Sequence, residues 1–309
     1  MKTPTNQLRA ILAAMIMFIA TLPSFAHGFE VDGIYYHVLN ETVKSVEVTC
    51  GENEYSGSIT IPSSVTYKGI SYSVTQIGYA SFCDCFNLTS ISIPNSVTKI
   101  DSYALNNCIG LTAINIPNSV TSIYIEAFSG CTRLTEFTIP NSVIKIDIGA
   151  FSGCTGLASI TIPNSVTEIG KRAFYGCNGL ASITIPNSVV EIGERAFCFC
   201  PNLTSIVVEK GNAKYDSRDN CNAIIETETN HLITGCKNTI IPNSVTTIGE
   251  DAFSDCIGLT SITIPNSVTE IGKGAFYGCS SLKSIIIQNP DVIIDEDAIP
   301  EGVEVIVEK

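Results

Sequence analysis

The dipeptide Ile-Pro, usually continued as Asn-Ser-Val, returns along this chain with a fixed step. Its isoleucine stands at Ile93, Ile116, Ile139, Ile162 and Ile185, each 23 residues after the last, and the series resumes at Ile241 and Ile264. Residues 162–177, "IPNSVTEIGKRAFYGC", recur at 264–279 with one letter changed. A degenerate member opens at Ile287 and an outlying "IPSSV" at Ile61, so two intervals, 61 to 93 and 185 to 241, break step. A constant period in the twenties is the mark of a solenoid, in which each unit buries its apolar side chains only against its neighbours. Near-verbatim copies then make mutually fitting faces, and function is expected to belong to the stack.

Counting from that isoleucine as position 1, apolar residues recur at positions 1, 5, 8, 12, 13, 19 and 22. In one coil these are Ile162, Val166, Ile169, Ala173, Phe174, Leu180 and Ile183. Positions 22 and 1 are two apart, as on one face of a strand, so "LASITI" is expected to be extended. Pro163 ends that ladder and Asn164–Ser165 have turn chemistry. "VTEIG" predicts a second short strand, closed at Gly170, and "KRAFYGC" predicts one tight helical turn. The composition, rich in Ile, Ser and Thr and without Trp, agrees with a β-rich chain.

The unit "LTSITIPNSVTEIGxxAFxGC" resembles the bacterial surface-antigen, or BspA-like, type of leucine-rich repeat, over roughly residues 29–300. The resemblance implies a right-handed, curved leucine-rich-repeat horseshoe with parallel strands on its concave face and short helical turns, capped at both ends. It also implies a surface or secreted role in adhesion or host contact, without catalysis. The organisation expected is a signal peptide at 1–26, an N-terminal cap at 27–76, a solenoid at 77–286, and a degenerate last repeat with a C-terminal cap at 287–309. In the first cap, "VDGIYYHVLNETVKSVEVTCGENEYSGSITIPSSVTYKGISYSVTQIG" places strand pairs around Tyr67–Gly69 and Ser71–Val74. In the last, alternating "VEVIVE" reads as an edge strand guarded by charge.

The signal-peptide reading rests on Lys2 and Arg9 ahead of the apolar run Ala10–Leu22, with small Ser24 and Ala26 before a cut at His27. Such a run is too short for a membrane span, so none is expected in the mature chain. The cut removes two cations and takes the net charge from −13 to −15. Nucleic acid and anionic membranes, which require clustered Lys and Arg, are thereby poor partners. The partner class expected is a protein or extended polymer from a host, a matrix or a neighbouring cell. A monomer is favoured.

The interval between Ile185 and Ile241 carries a variant repeat at 208–240 that lacks the "AF" signature. There "NAIIET" and "HLITGC" predict a protruding hairpin, and Tyr215, Asp216, Arg218, Asp219, Glu226, Glu228 and His231 are its candidate partner contacts. Residues at positions 20, 21 and 23 of each unit, such as Ala158–Ser159–Thr161 and Thr260–Ser261–Thr263, face outward as a carpet of small, nearly uncharged side chains. It suits broad, weak, multivalent contact.

Eight of the 13 cysteines hold position 16: Cys85, Cys108, Cys131, Cys154, Cys177, Cys200, Cys256 and Cys279. Stacking places them about 4.8 Å apart with parallel Cβ vectors, which suits a column of buried thiols better than disulfides. Cys83 and Cys198 form "CDC" and "CFC", too few ligands for a metal. Cys221 and Cys236 flank the hairpin and can bridge if its ends meet, and Cys50 has no assigned place. The histidines His27, His37 and His231 are too scattered for a catalytic set. Glu168, Glu191, Glu194, Asp251 and Glu270 interleave with Lys171, Arg172, Arg195 and Lys273 as a solvated edge. Asp216, Asp219 and Asp295–Asp297 lack a calcium-loop spacing. No cofactor is called for and no enzyme is expected. The competing readings are a surface-layer assembly protein and a surface-glycan hydrolase.

Overall fold

The computed structural model describes residues 28–52 and 54–308, so the signal-peptide segment and its cut site lie outside the described residues. Each regular 23-residue unit makes one coil with two strands. A long strand at positions 21–23 or beyond, such as Ser159–Thr161 and Ser182–Ile185, is followed after the Ile-Pro corner by a two-residue strand such as Glu168–Ile169. The corner is a turn closed from the Val166 amide to the Pro163 carbonyl at 3.0 Å. Every step between regular coils pairs strands in parallel, in register with the repeat: Lys145 meets Glu168, which meets Glu191, and Phe137 meets Ile160.

The short strands build a ten-stranded sheet that begins in a different style. Phe29–Val31, Ile34–Asn40 and Ser45–Thr49 run antiparallel, and Ser45–Thr49 then pairs in parallel with Ile70–Ile77. Ser64–Tyr67 folds back on Ile70–Ile77 through Lys68–Gly69, both in the left-handed region at φ +48° and +78°. Phe29, Tyr36, Tyr67 and Tyr72 pack ring to ring over this first layer. At the other end, Glu304–Val307 pairs with Ser284–Ile287 as the edge strand expected of "VEVIVE". It ends the ladder without covering it, because Val305 and Val307 remain 43% and 48% exposed.

The inward positions are buried as the period requires. In the coil opened by Ile162, Val166, Ile169, Ala173, Phe174 and Leu180 have no exposed surface. Position 13 makes a column of stacked rings, with Phe128, Phe151, Phe174 and Phe197 spaced 5.4–5.5 Å apart and nearly parallel. Offset stacks of this kind add about 0.5–1.5 kcal/mol per pair beyond burial.

The segment expected as a helical turn is not helical. The one helical element among the described residues is a three-residue 3-10 turn at Arg218–Asn220. Positions 11 and 15 instead take left-handed backbone: Arg172 and Gly176 at φ +56° and +71°, Glu126 and Gly130 at +51° and +74°. This turns alternate amides along the stack. Arg172, Phe174 and Gly176 donate to the carbonyls of Glu194, Ala196 and Cys198 in the next coil, at 3.1, 2.8 and 3.0 Å. An α-helix would spend those amides on carbonyls four residues back. Satisfying buried backbone groups from coil to coil prevails here, so the outer turn is a third ladder.

Candidate interaction surfaces

Three features bear on function: the outward face of the long strands, the variant repeat, and the thiol column. On the first, Ser159, Thr161, Ser182, Thr184, Ser261 and Thr263 are exposed, while Ile160, Ile183 and Ile262 between them are buried. Hydroxyls on this flank are used along the stack. Ser90 donates to Ser58 Oγ at 2.8 Å, and Thr204 Oγ1 to the Ala181 carbonyl at 3.1 Å. The result is an extended flank with few charges, Glu136 and Lys283 among them.

The variant repeat does form a hairpin, with Ala223–Glu226 antiparallel to His231–Gly235. It does not protrude. His231–Gly235 pairs in parallel with Thr247–Ile248, so the hairpin is built into the wall of short strands. Ala223, Ile224, Ile225 and Leu232 have no exposed surface, because the hairpin supplies the apolar side chains the missing "AF" would have supplied. Several candidate contacts are therefore internal. Tyr215 is 3% exposed, and its hydroxyl accepts the Ile192 amide at 3.1 Å, joining the variant repeat to the coil before it. Asp216 accepts from Arg218 Nε at 2.7 Å and from Thr227 Oγ1 at 3.0 Å. Burial opposes its charge, but these bonds hold its carboxyl below the usual range. Arg218 also donates to Asn230 Oδ1 at 2.7 Å, tying down the hairpin base. Glu226 accepts from Thr229, and His231 packs over Gly249. Of the candidates, Asp219 and Glu228 are the exposed ones.

All 13 cysteines are free, so the Cys221–Cys236 bridge is not formed. Cys236 Sγ instead donates to the Asn222 carbonyl at 3.4 Å. In the column, the thiols after Cys85 reach a carbonyl of the preceding coil: Cys108 to Phe82 at 3.1 Å, Cys154 to Phe128 at 3.1 Å, Cys279 to Phe253 at 3.0 Å. Burial pushes Cys200 and Cys279 up to about 12 and holds Cys131, Cys154 and Cys177 well above the usual thiol range. Thiols so disposed are poor nucleophiles.

Three of the five carboxylates of the solvated edge are paired with cations. Glu168 pairs with Lys145 at 2.7 Å, Glu194 with Lys171, and Asp251 with Arg195 Nε at 2.7 Å. Among the described residues no group of three or more His, Cys, Asp or Glu is placed to hold a metal ion. Nor is any helix long and apolar enough to cross a membrane.

One site escaped the sequence reading. Between the outer turns of the coils opened by Ile185 and Ile241 lies a cavity of about 350 Å³, edged by Tyr175, Arg195, Phe199, Asp251 and Tyr277. Residues 55 and 56 apart face each other there, Arg195 reaching Glu250 and Asp251. The absent "AF" of the variant repeat was the signal that could have located it.

A stack of parallel-stranded coils that buries Leu, Ile and Phe at fixed positions is a leucine-rich-repeat solenoid. The family profile described as "BspA type Leucine rich repeat region (6 copies)" matches residues 63–154, 126–227 and 225–300. The chain belongs to this family. It is similar to a leucine-rich cell surface protein of Faecalibacterium prausnitzii, with 30% identity, a TM-score of 0.68, and 90% of this chain and 87% of that one covered. It shares its fold with the pneumococcal vaccine antigen PcpA, at 22% identity and a TM-score of 0.62, over 91% of this chain and 93% of that one. Among curated proteins no sequence matches. The repeat family is generally a non-catalytic, protein-binding scaffold, and no catalytic family is indicated.

Proposed function

We propose that this chain is exported through residues 1–26 and serves at the cell surface as a non-catalytic adhesion scaffold. Its contact surface is the outward face of the long strands. The observation that carries this reading is the flank itself: exposed Ser and Thr at the same repeat position of several coils, at Ser159, Ser182 and Ser261, with the isoleucines between them buried. Such a surface presents many weak contacts at one repeat spacing, which suits an extended protein ligand bound multivalently. The similarity to a cell surface protein of F. prausnitzii supports the location.

The test is capture of purified matrix and cell-surface proteins by residues 27–309, beside a variant with Ser159→Lys, Ser182→Lys and Ser261→Lys. These side chains point to solvent, so circular dichroism is expected to be unchanged. Loss of capture in the variant supports the reading. Equal capture by both proteins removes the strand face from it.

A further inference from the structure

The outer-turn ladder runs without a break until the variant repeat. In every regular step the amides at positions 11, 13 and 15 donate to the next coil. Glu126, Phe128 and Gly130 reach Ile148, Ala150 and Ser152 at 2.9, 2.9 and 2.7 Å, and Asp251, Phe253 and Asp255 reach Lys273, Ala275 and Tyr277 at 3.1, 2.8 and 2.7 Å. The variant repeat keeps the middle one of these three bonds and lacks the other two. Its strand runs directly from Leu232, paired with Ile248, to Gly235, whose amide takes the Ala252 carbonyl at 2.8 Å. The turns at 194–200 and 250–256 therefore face each other across a notch, with the Gly235–Ala252 bond at its base.

The upper wall keeps the conformation of a turn that has a partner. Arg195 and Phe199 sit at φ +58° and +60°, as their equivalents do in the regular coils. Their amides thus aim into the notch. Among the described residues neither they nor the Phe197 amide donates a hydrogen bond, and the facing Glu250 and Ser254 carbonyls accept none. The walls are joined by side chains instead: Arg195 Nε to Asp251 at 2.7 Å, and Cys198 Sγ to the Asp251 carbonyl at 3.6 Å. The Phe column is interrupted at the same place, since Phe197 stacks on Phe174, and Phe253 on Phe276.

From this geometry we infer that the notch binds an extended segment of a partner polypeptide, which supplies the outer-turn bonds left unmade at Glu250 and Ser254. The ligand chemistry follows from the walls. Backbone carbonyls of the segment accept from Arg195 and Phe199, and its amides donate to Glu250 and Ser254, the mode in which a strand adds to an open ladder. The cavity, about 350 Å³, lies at the small end of the roughly 300–1,000 Å³ of ligand sites, so it takes a few residues. Tyr175 and Phe199, with ring centres 4.7 Å apart, and the 60% exposed Tyr277 offer apolar contact to the segment's side chains. A second folded copy of this chain is a poor occupant, because its regular outer turns are already bonded within its own stack. The inference rests on the protein-binding reading but not on the strand face being the contact.

The probe is an acetylated, amidated heptapeptide copying the chain's own outer turn, Gly170–Gly176, titrated into residues 27–309. Saturable binding is expected, with slowed hydrogen exchange at the Arg195 and Phe199 amides. A peptide N-methylated at alternate residues loses donors to Glu250 and Ser254 and is expected to bind about tenfold more weakly. Tyr277→Ala, at an exposed position, is expected to weaken binding while leaving the fold intact. Absence of saturable binding at millimolar peptide, unchanged exchange at the two amides, or equal binding of the N-methylated peptide overturns the inference. If the peptide fails while the triple lysine variant still loses capture, the strand-face reading stands alone. If the peptide binds and the lysine variant captures normally, the notch stands and the strand face falls.

Discussion

Replacing Phe174 by leucine tests whether the ring column, and not burial alone, stabilises the stack. Phe174 has no exposed surface and lies between Phe151 and Phe197, with ring centres 5.4 Å away on both sides and planes within 2° and 3°. Phe253 is equally buried but has a stacked ring on one side, Phe276 at 5.1 Å and 11°. Leucine fits position 13, since Leu105 occupies it fully buried in the coil opened by Ile93. The change of shape costs about 1 kcal/mol at either site. Each lost ring pair adds about 0.5–1.5 kcal/mol. Phe174→Leu is thus expected to cost about 2–4 kcal/mol and Phe253→Leu about 1.5–2.5 kcal/mol. Urea unfolding followed by far-ultraviolet circular dichroism measures both. An equal or larger loss at Phe253 would refute the assignment of the difference to stacking.

Two glycines should fail for different reasons when changed to alanine. Gly153 sits at φ +70°, and an added Cβ would meet nothing nearer than Gly130 at 3.7 Å, so the cost is backbone strain of about 1 kcal/mol. At Gly235 the Cβ would fall 2.1 Å from the Phe253 ring, and overpacking there is expected to cost about 2–3 kcal/mol, read from the same urea midpoints. The thiol column predicts a pH dependence. Burial raises Cys200 to about 12 in the folded chain, so its unfolded thiol, near 8.5, releases a proton first. The stability it contributes is whole below about pH 8.5 and is lost as pH rises towards 12. Cys200→Ala should therefore flatten the decline between pH 9 and 11 by about 1.4 kcal/mol per unit, and an unchanged slope would count against the thiol's burial.

The 23-residue period by itself determined that this chain stacks, which letters point inward, and where the regular stack is interrupted. Burial at positions such as Val166, Phe174 and Leu180 repeats in sequence because the same face is made again in every coil. The tertiary structure decided what the outer turn and the variant repeat become. "KRAFYGC" reads as a helical turn when taken alone, and it is unwound because the amides of Arg172, Phe174 and Gly176 find carbonyls in the next coil. Glycines at positions 11 and 15, as in Gly149 and Gly153, carry that signal, but Arg195 and Phe199 adopt the same backbone without it. Tyr215 reads as an exposed aromatic until the coil holding Ile192 closes over it. The notch depends on residues 55 and 56 positions apart, and its backbone donors carry no side-chain letter. Periodicity reports which side chains leave water, whereas the direction of each amide is set by the neighbour it meets.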